Sequence, residues 1–69
     1  MTDVIKLKEA IDNSGVSITH IAGVLGCSRN RVYSILNGSE CTVSEVTGIT
    51  GALHLTKPQR DSIFFAQER

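Results

Sequence analysis

The chain has 69 residues, of which 41% are hydrophobic, and seven Lys and Arg balance seven Asp and Glu. That composition suits one small folded domain, residues 1–69, rather than a disordered polymer, and its zero net charge weighs against strong non-specific attraction to nucleic acid. No apolar run is long enough to span a bilayer, and Met1-Thr2-Asp3-Val4 lacks the basic-then-apolar order of a secretion signal; a cytoplasmic chain with no membrane partner is expected.

Five segments have helical period and none reads as a strand. The first is expected from about Asp3 to Ser14, with Val4, Leu7 and Ile11 on one apolar stripe and Gly15 ending it in a left-handed conformation. The second opens on Ser17 as N-cap, carries Ile18, Ile21, Ala22 and Leu25, and stops at Gly26. The third opens on Ser28, carries Val32, Ile35 and Leu36, and ends at Asn37-Gly38. Thr42-Val43-Ser44-Glu45 has the form of a capping box, and Val46, Ile49 and Leu53 follow it. Thr47, Gly48, Thr50 and Gly51 are poor helix formers, so this fourth helix must rely on tertiary packing. Thr56-Lys57-Pro58-Gln59 is a second capping box; it opens a fifth helix with Ile63 and Phe64 inward and Phe65 outward.

Charge is unevenly placed along this order. Residues 1–14 sum to −1, residues 15–38 to +2, residues 39–53 to −2 and residues 54–69 to +1. The positive segment contains Arg29 and Arg31 and no acid, and it coincides with the second and third helices. Only Gly26 and Cys27 stand between Leu25 and the next cap, a link that forces the two helices to cross sharply. Ala22 must then be small, Gly26 supplies the turn, and Ile21, Leu25, Val32 and Ile35 lock the pair together. The outer face of the third helix is left polar, with Ser28, Arg29, Asn30, Tyr33, Ser34 and Asn37.

The spacing of Ala22, Gly26, Val32 and Ile35, followed by Leu36-Asn37-Gly38 and Thr42-Val43-Ser44-Glu45-Val46, resembles the Xre/Cro family of phage-type helix-turn-helix regulators. The likeness runs from Val4 to Ala66. It implies an all-α, five-helix, lambda-repressor-like domain whose helix-turn-helix unit is residues 17–38. It further implies a homodimer on double-stranded operator DNA, regulating transcription in a phage or prophage switch by occlusion. Under it the third helix enters the major groove, with Arg29, Asn30 and Tyr33 toward the bases and Thr19, Ser28, Arg31, Ser34 and Asn37 toward phosphates. Which of Arg29 and Arg31 reads a base stays open. Ile63, Phe64 and Phe65 form the expected dimer or partner surface. In one respect the chain departs from the family: Ile18 stands where a phosphate-binding Gln is frequent. An alternative role follows, in which the domain binds a partner repressor protein instead of DNA, using apolar residues such as Ile18, Val24 or Phe65.

Catalysis is not expected. No spacing sets a nucleophile beside a base, no Gly-rich phosphate loop occurs, and a bundle this small offers little cavity for a small-molecule substrate. His20, Cys27, Cys41 and His54 lack the short gaps of a zinc site, so neither a metal nor another cofactor is expected.

Overall fold

The computed structural model describes residues 2–65. Five helices form, and each opens on a short polar side chain that accepts a hydrogen bond from a backbone N–H three residues on. Asp3 caps α1 (Val4–Ser14), Ser17 caps α2 (Ile18–Leu25) and Ser28 caps α3 (Arg29–Leu36). Thr42 caps α4 (Val43–Leu53) and Thr56 caps α5 (Lys57–Phe64). In the last two, the capping box is complete: Glu45 and Gln59 reach back to the N–H groups of Thr42 and Thr56 at 2.9 and 2.8 Å. No strand occurs among the described residues, and none of their helices is long and apolar enough to cross a membrane.

The chain leaves α2 through Gly26, whose φ of 69° is open to glycine at little cost. Gly26 N–H donates to Gly23 O and Cys27 N–H to Ala22 O, which closes the helix and turns the chain toward α3. The end of α4 uses the same device without a glycine. His54 adopts φ 55°, while its own N–H and that of Leu55 close onto Gly51 and Thr50. A left-handed conformation costs a non-glycine residue roughly 1 kcal/mol or more. His54→Gly is therefore expected to stabilise the domain by about 1 kcal/mol, raising the melting temperature by roughly 4–8 °C. Thermal denaturation followed by circular dichroism measures this; an unchanged or lower midpoint would show that the imidazole compensates for its backbone.

The inner faces of all five helices meet in one core. Leu7, Ile21, Ala22, Val32, Ile35, Val46, Ile49, Leu53, Ile63 and Phe64 are buried within it. The most extensive helix pair is α2 with α4, followed by α2 with α3. Close approach of α2 and α4 explains a glycine in the middle of α4: a Cβ on Gly48 would overlap the Leu25 side chain. Packing thus overrides the poor helix propensity of this segment. The two ends of the described chain are tied together, because Asp3 N–H donates to Ile63 O at 2.6 Å and Lys6 Nζ to Ser62 Oγ at 2.7 Å.

Two expectations need correction. Ile63 and Phe64 are only 4% and 3% exposed, so neither is available as a dimer or partner surface. They close the core against α1 and α4, because a bundle this small has few large side chains with which to fill its interior. Phe65, at 52%, is the one of the three that faces outward. Ile18, offered as a partner-binding residue in the alternative role, is half-buried and packs against the core with the rest of the α2 stripe.

Candidate nucleic-acid interface

The exposed face of α3 follows from its helical period. Val32 and Ile35 point inward, so Arg29, Asn30, Tyr33 and Asn37, three and four residues apart, share the opposite side. All four are exposed, Tyr33 to 51%. Thr19 and His20, in the first turn of α2, are exposed as well. Ser28 Oγ accepts from Arg31 N–H at 3.3 Å, which leaves the hydroxyl proton free to donate outward. Ser34 is half-buried and lies less openly than its neighbours. Asn37 ends α3, its N–H donating to Tyr33 and Ser34 carbonyls, and its side chain is exposed.

The two arginines differ sharply. Arg29 is exposed and belongs to neither ion pair found among the described residues. Arg31 turns toward α4. Its Nε donates to Glu45 Oε2 and its Nη2 to Glu45 Oε1, both at 2.7 Å, and Nη2 also donates to Glu40 O at 2.8 Å. This is the two-pronged geometry that suits a planar guanidinium and a carboxylate. Glu45 Oε1 meanwhile accepts from Thr42 N–H, so one carboxylate completes the α4 cap and anchors α3. Arg31 was expected at a phosphate; its guanidinium has partners within the chain instead. The pair joins residues 14 apart on different helices. A signal for it did exist: Glu40 and Glu45 are the first acids after the acid-free segment, and a capping-box carboxylate at a helix N-terminus has a second oxygen to offer.

The hydrogen bonds from Arg31 hold the Glu45 carboxyl well below its usual value of 4.5, at about 2, against the opposing effect of burial. The same partnership raises the Arg31 pKa. Because the folded Glu45 carboxyl binds a proton less readily than the unfolded one, the unfolded state takes up more protons between pH 4.5 and 2. The stability carried by this carboxylate should be complete above about pH 5 and fade as pH falls through that window. Screening at a partly exposed site keeps it to about 1 kcal/mol or less. Urea midpoints of wild type and Glu45→Gln should therefore differ most near pH 6 and converge near pH 2. Parallel curves across that range would contradict the assignment.

Other surfaces offer less chemistry. A shallow groove between α1 and α5, lined by residues such as Lys6, Glu9, Asn13, Leu55, Pro58 and Ser62, touches no residue of the α2–α3 unit. Cys27 and Cys41 are half-buried free thiols, and burial pushes the Cys41 thiol up. Among the described residues no three of His, Cys, Asp and Glu converge as metal ligands. Compared with models of known families, with characterised proteins and with solved structures, the chain matches none of them.

Proposed function

We propose that this chain is a sequence-specific DNA-binding regulator of the Xre/Cro type, with a lambda-repressor-like arrangement of its five helices, and that it acts by occluding an operator. The observation that carries this reading is the exposed face of α3. It follows a three-residue link from α2, contains no acid, and presents Arg29, Asn30 and Tyr33 outward along its first five residues. These residue types suit base edges in the major groove: Arg for guanine, Asn for adenine, and an aromatic ring for a thymine methyl. Thr19, Ser28 and Asn37 surround them with hydroxyl and amide donors suited to phosphates. In this reading two copies dimerise and set their α3 helices about one DNA turn, roughly 34 Å, apart on a palindromic site. The dimer contact draws on Phe65, over whose ring Arg60 is stacked at 5.9 Å, and on the neighbouring Val43, which is 84% exposed. No catalytic step and no cofactor enters this function.

A gel shift against the DNA immediately upstream of the protein's own reading frame, at two salt concentrations, tests the proposal. A sequence-dependent shift that weakens with salt is expected. A second reading, binding to a partner repressor protein, draws on the internal partners of Arg31, which leave Arg29 as the one outward-facing arginine of residues 15–38. It also draws on the 48% exposure of Val24. No shift by this chain alone, together with loss of the shift made by a neighbouring repressor, would favour that reading over the first.

A further inference from the structure

We propose that Glu45 tunes the affinity of the α3 face for the DNA backbone, because it holds Arg31 against α4 and thereby withdraws a guanidinium from the phosphates. The inference rests on the DNA-binding reading above. Its basis is geometric. Three hydrogen bonds of 2.7, 2.7 and 2.8 Å fix Arg31 on Glu45 and on the Glu40 carbonyl. The carboxylate they engage is itself fixed by the α4 cap. Glu45 is thus an anchored partner rather than a mobile surface acid, and its side chain is only 15% exposed.

The consequence for recognition follows from what each contact supplies. Phosphate contacts raise affinity for every sequence alike, whereas base contacts separate one sequence from another. Residues 15–38 carry two arginines. With Arg31 held by Glu45, sequence-independent attraction falls while Arg29 and Asn30 stay exposed to read bases. Glu45 therefore lowers affinity for every sequence alike and leaves discrimination to the exposed residues, in a chain whose net charge is already zero.

Glu45→Gln separates this role from the structural one. Gln at the same position of the α5 box accepts from the cap N–H, as Gln59 does from Thr56 at 2.8 Å, so the α4 cap survives while the charge is removed. The measurement is the salt dependence of binding to the upstream DNA and to a random duplex, for wild type, Glu45→Gln, Arg31→Gln and the double variant, each checked for folding by circular dichroism. Under the proposal, Glu45→Gln steepens the log–log salt slope by about 0.9, the value of one phosphate contact. Across a fourfold change in salt this adds roughly a 3.5-fold change in affinity. Both duplexes gain alike, so its preference for the upstream DNA over the random duplex stays that of wild type; Arg31→Gln leaves the wild-type slope unaltered, and the double variant returns to it.

If wild type binds the upstream DNA but Glu45→Gln keeps its slope, the proposal fails and the DNA-binding reading stands. A slope reduced by about one in Arg31→Gln also overturns it, since Arg31 would then already be a phosphate contact. If neither wild type nor Glu45→Gln shows salt-dependent binding to either duplex, the DNA-binding reading fails and takes this inference with it. Should Glu45→Gln prove unfolded, Arg31→Gln carries the test alone: an unaltered slope supports the proposal and a slope reduced by about one overturns it.

Discussion

Ile35→Ala is expected to remove about 2–5 kcal/mol of stability, the largest loss from any single change considered for this chain. Ile35 is fully buried, at 0% exposure, and lies on the inner face of α3 against the other core helices. Truncation to Ala removes its apolar contacts and leaves a cavity that the surrounding helices can only partly fill. A chain of 69 residues has roughly 3–10 kcal/mol of total stability to draw on. The variant should consequently melt some 10–30 °C lower, or be substantially unfolded at room temperature. Urea denaturation followed by circular dichroism reads the change. A loss below 1 kcal/mol would mean that Ile35 is not at the centre of the packing.

Arg29→Ala should leave the fold intact, because the side chain is exposed and takes no part in the ion pairs described. Its effect belongs to binding, where a loss of about 1–3 kcal/mol, concentrated on a single base position, is expected. A phosphate contact at the same site would instead weaken all sequences equally. Selection of preferred sites from a random duplex pool distinguishes the two. Relaxed choice at one position per half-site supports base reading by Arg29; an unaltered profile removes it from that role and leaves Asn30 and Tyr33 to carry the discrimination. The variant also bears on the protein-partner reading, since a surface that captures a repressor would give no site profile in either protein.

The helices were legible in the sequence largely because their boundary signals are local. Ser17, Ser28, Thr42 and Thr56 each bond to a backbone N–H three residues on, so the chemistry of the cap is contained in four consecutive residues. The core positions on α3 and α4 were legible for a similar reason, as helical period alone places Val32 with Ile35 and Val46 with Ile49. At the end of α5 the period places Ile63 and Phe64 inward and Phe65 outward, as found, while the dimer surface drawn on all three fails for the first two. Helical period places Ile18 with Ile21, Ala22 and Leu25, and its side chain does pack onto the core; only the likeness, which sets this first-turn position toward phosphate, points the other way. The state of Arg31 depends on how α3 lies against α4, which no pattern within residues 17–38 contains. The exposed face of α3 was thus legible residue by residue, but the partition of labour between its two arginines was not.

The bond from Asp3 N–H to Ile63 O has a consequence for how the molecule is assembled during synthesis. The residue that caps α1 is held by the end of α5, sixty positions later, and the interior also waits for Phe64. A nascent chain still lacking α5 therefore has an incomplete core. Such a chain is expected to stay loose and exposed to proteases until residues 63 and 64 clear the ribosome, and then to fold in one cooperative step.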